Sequence, residues 1–156
     1  MIINYIDENL AIPFPQANDI YKIIKFVDNI HSPIPQGRFS NIELEVVPRQ
    51  ISYYKAAAQF LGLLESNKTT DLTKLIFDLD NNILFVAVVN LILRHKVFGM
   101  YYQSRNHLVV EEYLTHVYKL NQTTATRRLS TVKKWVEWCD IIIKENEIGV
   151  VFSDAI

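Results

Sequence analysis

The apolar positions of this chain recur mostly at helical spacing. From Ala17 to His31, Ile20, Ile23, Ile24, Val27 and Ile30 follow one another three or four residues apart, which predicts an amphipathic helix with Asn18 as its N-cap. The stretch Ser32–Gly37 holds two prolines and a glycine and predicts a loop. Ser40 and Glu43 stand at capping-box spacing, so a short helix is expected from about Asn41. Pro48 is unsuited to a helix interior but favoured at a first helical position. It predicts a second helix, Pro48 to Leu61, with Gly62 as its stop. Two short helices meeting at a tight turn make a helix-turn-helix pattern. The β-branched residues around the polar Ser66-Asn67-Lys68 then predict a small hairpin, in the position of a wing.

Helical spacing resumes from Thr73 to about Lys96, with a break expected at Asp80–Asn82. Within it, Ile83–Leu93 is apolar nearly all round, the mark of a central buried helix. Its eleven residues fall short of the roughly 20 that span a bilayer. Leu108–Leu120 is amphipathic and ends at the polar Asn121-Gln122. Thr123 or Thr124 then caps a helix to about Lys144. The apolar stripe of that helix, Ala125, Leu129, Val132, Val136, Cys139 and Ile143, advances in steps of 4, 3, 4, 3 and 4. A β-like piece, Ile148–Ser153, follows as a second wing strand. The expected fold is mainly α with short β wings, two winged-helix-like halves packed around a central apolar helix. Its segments are 1–72, a helical connector 73–106, and 107–156.

Composition narrows the class. With 156 residues, 49% of them hydrophobic, four glycines and five prolines, the chain can bury a core and is neither fibrous nor low in complexity. The single cysteine, Cys139, excludes a disulfide framework and a multi-cysteine zinc site. The first residues lack a basic region and carry Asp7 and Glu8, so a cytoplasmic protein without membrane contact is expected.

The net charge of −1 is a poor sign for nucleic-acid binding until its distribution is considered. Lys119, Arg127, Arg128, Lys133 and Lys134 fall in sixteen residues that contain no acid. The remainder of the chain has 11 basic against 17 acidic residues. Thr124, Arg127, Thr131 and Lys134 are spaced 3, 4 and 3, so they are expected on the face opposite the apolar stripe, with Arg128 beside it and Thr123 near the helix start. Arginine and lysine neutralise phosphates, threonine hydroxyls donate to phosphate oxygens, and a bidentate arginine reads guanine edges. In the first motif Arg49, Gln50 and Tyr53 stand at the helix start and Lys68 at the wing tip, with Glu43 and Glu45 weakening the field.

Two stretches carry a resemblance. Arg49–Glu65, through Arg49-Gln50, Tyr53-Tyr54 and Leu61-Gly62-Leu63-Leu64, resembles the second helix and wing entry of winged helix-turn-helix modules associated with bacterial restriction-modification proteins. Thr123–Cys139 is similar to a helix of the same group, matching T-x-x-R-R-x-x-T-V-x-x-W at Thr124, Arg127, Arg128, Thr131, Val132 and Trp135. Together they cover about a fifth of the chain. The resemblance implies DNA recognition in a restriction or defence context.

Catalytic chemistry is not signalled. Asp71–Lys74, Asp78–Asp80 and Glu43–Glu45 are the nearest approaches to a nuclease motif, and none has the acid and lysine at the required spacing. The histidines 31, 95, 107 and 116 are scattered, and no glycine-rich phosphate loop is present. Cys139, on the apolar stripe, is expected to be buried, and Trp135 and Trp138 to pack their helix on a neighbour. The expected function is recognition of double-stranded DNA, with no cofactor, metal or catalytic residue. A nuclease or methyltransferase subunit and a second copy of the chain are the expected protein partners. The alternatives are a protein–protein adaptor and a fragment of a metal-dependent nuclease.

Overall fold

The computed structural model describes residues 1–33, 37–45 and 47–153. Its elements in chain order are β1 (Ile2–Ile3), α1 (Ile20–His31), α2 (Pro48–Phe60), β2 (Leu64–Glu65), β3 (Lys68–Thr69), α3 (Asp71–Ile76), α4 (Asn81–Leu93), α5 (Lys96–Ser104), α6 (His107–His116), α7 (Gln122–Glu145) and β4 (Val151–Phe152). The protein is therefore mainly helical. It divides into two compact units, the first Ile12–Leu84 and the second Met1–Ala11 with Phe85–Ile156. This division differs from the expected segments 1–72, 73–106 and 107–156. The N-terminal residues belong with the C-terminal ones, and the boundary falls inside α4.

In the first unit, α1 buries Ile20, Ile23, Ile24 and Val27 as the spacing predicts. Asp19 rather than Asn18 is the cap, its carboxylate accepting from the Lys22 amide at 3.3 Å. α2 opens with Pro48, packs against α1 through a face that includes Tyr54, Ala57 and Ala58, and ends before Gly62, whose φ of 77° is left-handed. The hairpin forms, with Leu64 opposite Thr69 and Glu65 opposite Lys68. Thr70 ties it to α3: its hydroxyl donates to the Gly62 carbonyl at 2.8 Å and accepts from the Thr73 amide.

The short helix expected from Asn41 does not form; residues 38–42 are turns. Val47, ahead of Pro48, is held extended at ψ 142°, so there is no room for a helix long enough to offset its nucleation cost. Glu45 is engaged instead by Lys22, at 2.6 Å, and by the Tyr54 hydroxyl. The helix that precedes α2 is thus α1, not a tight-turn partner. Of the predicted Ser32–Gly37 loop, residues 34–36 lie outside the described residues.

In the second unit, α5, α6 and α7 pack on one another. α4 and α5 meet at a 96° bend at Arg94-His95, where a single helix to Lys96 was expected. No single helix among the described residues is long and apolar enough to cross a membrane. α7 is capped by Asn121, which accepts from the Thr124 amide at 2.8 Å, ahead of the expected threonine caps. At 24 residues it extends about 36 Å. The stripe Ala125, Leu129, Val132, Val136 and Cys139 is buried, with Ile142 rather than Ile143 at its end. Trp135 stacks on Phe98 with centroids 4.9 Å apart, and Trp138 meets the edge of Phe85 at 6.0 Å.

The terminal strand is not a wing. β4 pairs in parallel with β1, Ile2 opposite Val151 and Ile3 opposite Phe152. The Val151 amide donates to the Met1 carbonyl at 2.9 Å and the Ser153 amide to the Ile3 carbonyl at 2.8 Å. The N-terminal strand thus supplies the partners that a hairpin would have supplied.

One glycine is required by this packing. A Cβ on Gly99 would stand 2.5 Å from Tyr5 Cε1 and 2.6 Å from the Leu93 carbonyl oxygen. Tyr5 can swing away but the backbone oxygen cannot. Gly99→Ala is therefore expected to destabilise the second unit by about 1–3 kcal/mol despite the better helix propensity of alanine. A urea titration followed by tryptophan fluorescence checks this, and a midpoint at or above that of the wild type contradicts it.

Candidate functional site

The α7 helix presents its basic residues on two different sides. Thr123, Thr126, Arg127, Ser130 and Lys134 are exposed, at spacings of 3, 1, 3 and 4 that keep them on one strip. Lys119, exposed and in a left-handed conformation with φ 58°, precedes them in the turn after α6. Arg128, Lys133 and Thr124 are half-buried. Thr131 is 2% exposed and is corrected from a surface contact to an interior residue. The physical reason is that Trp135 and Trp138, four and seven residues further on, widen the buried stripe toward its side. The stripe of smaller apolar residues alone conceals that widening.

The strip is electrostatically open. Among the described residues, Arg127, Lys119 and Lys133 form no ion pair, and Lys134 meets only Glu137, at 4.0 Å. The Thr126 hydroxyl donates to the Gln122 carbonyl at 2.9 Å, so it faces the strip as an acceptor only.

The residues singled out in the first motif are placed differently. Arg49 Nε donates to the Tyr53 hydroxyl at 2.8 Å, and its guanidinium lies 5.6 Å from the Tyr53 ring centre. Gln50 and Tyr53 line a cleft of about 290 Å³ with Gln16, Asp19, Lys22, Glu45 and Tyr54. There the Lys22 and Tyr54 hydrogen bonds hold the Glu45 carboxyl down to about 2. Burial and the Glu45 carboxylate push the Tyr54 phenol up to about 12. Two carboxylates against one ammonium make this cleft a poor host for a phosphate. Lys68 is exposed on the hairpin. These four residues belong to the first unit, and the α7 strip to the second. Among the described residues, no group of three or more His, Cys, Asp or Glu is placed to hold a metal ion.

The model of a family described as a domain of unknown function, DUF7226, matches residues 22–144. The chain belongs to this family. No curated protein and no solved structure matches it. The DUF7226 match includes the whole basic strip of α7 and, in the first unit, Lys22, Glu45, Arg49, Gln50, Tyr53, Tyr54 and Lys68.

A buried polar centre in the second unit escaped the sequence reading. Glu8 and His95 have side chains 8% and 5% exposed, and His95 Nδ1 lies 3.0 Å from Glu8 Oε2. The Tyr118 hydroxyl donates to the same oxygen at 3.0 Å. Burial pushes the Glu8 carboxyl up, but His95, Tyr118 and the Lys96 backbone amide outweigh it and hold the group below its ordinary range. The Tyr118 phenol is pushed up by burial and by Glu8. His95 and Tyr118 lie inside the DUF7226 match and Glu8 outside it. The three are brought together across 87 and 110 residues of chain, and no local spacing announces that.

Proposed function

We propose that this DUF7226 protein binds double-stranded DNA, and that the exposed strip of α7 is the surface that meets it. The observation that carries this reading is the run of five cations without an acid from Lys119 to Lys134, with Lys119, Arg127 and Lys134 exposed on one helix and the turn before it. Arg127 and Lys134 neutralise backbone phosphates, and Thr123 and Ser130 donate to phosphate oxygens. Arg128, to one side, reaches a base edge or a neighbouring phosphate. Thr131 has no part in this surface. The first unit, with α1, α2 and a hairpin in succession, acts as a winged-helix-like companion in which Arg49, Gln50, Tyr53 and Lys68 face a protein partner. That partner is a nuclease or methyltransferase subunit of a restriction or defence system, the context that the resemblance of Arg49–Glu65 and Thr123–Cys139 implies.

A second reading, a protein–protein adaptor, is favoured by Leu108 on α6 and Ile141 on α7, which are 62% and 52% exposed.

Fluorescence anisotropy of a labelled duplex, titrated at several salt concentrations, separates the two. Each phosphate contact contributes about 0.9 to the slope of log affinity against log salt. The Arg127→Ala/Lys134→Ala variant is expected to lose about two such contacts and to bind weakly at every salt concentration. Affinity and slope equal to those of the wild type would overturn the DNA reading.

A further inference from the structure

The second unit contains a cleft of about 500 Å³, lined by Tyr5, Ile6 and Asp7 before α1, Lys96 and Gln103 on α5, and Phe152-Ser153 of and after β4. Its volume lies in the range that holds small molecules. None of these residues belongs to the α7 strip.

The lining has an apolar wall and a polar rim that carries one acid and one base. Tyr5 and Phe152 have ring centres 5.6 Å apart, and Ile6 adds an aliphatic surface. Asp7 and Lys96 are both exposed, carry opposite charges, and line the same cleft. They form no ion pair with each other, and among the described residues neither has another ionic partner. Gln103 is oriented: its Oε1 accepts from the Tyr5 hydroxyl at 2.9 Å, which leaves its amide NH2 as a donor. Gly99 permits Tyr5 to lie this close to α5, because any Cβ there would occupy the position of the Tyr5 ring.

A cation and an anion that line one cleft without pairing discriminate by charge pattern. A phosphate attracted to Lys96 is repelled by Asp7, and a simple amine meets the reverse. A zwitterion satisfies both groups at once. We propose that this cleft binds an α-amino acid with an aromatic or large aliphatic side chain. The ligand carboxylate meets the Lys96 ammonium and the Gln103 NH2. The ligand ammonium meets the Asp7 carboxylate, and the side chain lies on Tyr5, Ile6 and Phe152.

Calorimetric titration of the full chain with L-phenylalanine, 3-phenylpropionate and 2-phenylethylamine tests this. L-Phenylalanine is expected to bind about tenfold more tightly than either analogue, since each analogue lacks one charged contact. Asp7→Asn is expected to weaken L-phenylalanine binding about tenfold without weakening 3-phenylpropionate, and Lys96→Gln to weaken L-phenylalanine binding likewise without weakening 2-phenylethylamine. Both substitutions are at exposed positions, so circular dichroism and the urea midpoint are expected to stay at wild-type values. Tyr5→Phe keeps the ring but releases the Gln103 oxygen, and should weaken L-phenylalanine binding while the apolar wall remains. Absence of L-phenylalanine binding at millimolar concentration, equal affinity for all three compounds, or wild-type affinity in both charge variants would each overturn the proposal. Because the α7 strip is untouched, the DNA titration is unaffected by either outcome.

Discussion

Trp135→Ala is expected to lower the unfolding free energy of the second unit by about 3–5 kcal/mol. The indole is fully buried and stacks on Phe98 at 4.9 Å with an 18° interplanar angle. Its removal takes a large apolar area out of the core, leaves Phe98 without its stacking partner, and opens a cavity between α5 and α7. Helices on both sides are held by other contacts and cannot close that space. The stacking term alone is about 0.5–1.5 kcal/mol, so the cavity and transfer terms dominate. A typical domain has only 5–15 kcal/mol in total, and the variant is therefore expected to be partly unfolded well below the wild-type urea midpoint. Both tryptophans of the chain lie in α7, so Trp138 remains as a reporter of this unit alone. With a urea dependence of about 1–3 kcal/mol per molar, the midpoint should fall by more than 1 M. A shift of less than about 0.5 M would mean that the stacked pair is not a core contact.

The burial of Trp135 also marks how far the amino-acid pattern carries. Local signals were sufficient where one element decides its own state. The isoleucine spacing of α1, Pro48 at the start of α2, Gly62 at its end and the 4-3-4-3 stripe of α7 all reappear in the structure. The same kind of signal failed where a distant residue competed for a side chain. Ser40 and Glu43 satisfy a capping box, but Pro48 leaves no length for a helix behind it, and Glu45 is taken by Lys22 and Tyr54. The bend at His95 is another case. Nothing in Asn90–Lys96 breaks a helix by propensity, yet Glu8, from the far end of the chain, accepts from His95 and from the Lys96 amide.

The candidate site divides in the same way. The cation count of α7 could be read directly, because charge needs no partner to be counted. Its geometry could not. Thr131 shares a helical face with Arg127 and Lys134 by spacing, but the width of the buried stripe is set by what packs against Trp135 and Trp138. The strand at Val151 was legible as a strand, and its partner was not, since β1 is some 150 residues away and only two residues long.

Replacing Glu8 is expected to have an effect as large as that of Trp135, with a pH dependence that the tryptophan variant lacks. In Glu8→Ala, the Tyr118 hydroxyl, His95 Nδ1 and the Lys96 amide lose their shared acceptor inside a nearly dry site. Removing one partner of such a buried, hydrogen-bonded pair typically costs about 3–5 kcal/mol. Glu8→Gln keeps the shape and one acceptor oxygen, so it isolates the charge. In the folded chain the Glu8 carboxyl titrates below its ordinary value of 4.5. The unfolded chain therefore binds that proton first as the pH falls. The contribution of the charge is complete above about 4.5 and is lost as the pH falls through the folded value. Glu45 titrates low as well, at about 2, but it is present in both chains and cancels in their difference. Urea midpoints of wild type and Glu8→Gln, followed by tryptophan fluorescence from neutral to acid pH, should accordingly be far apart at neutrality and converge in acid. Midpoints that coincide at neutrality, or a separation that stays constant across that range, would show that the Glu8 charge contributes nothing to holding the N-terminal residues on α5.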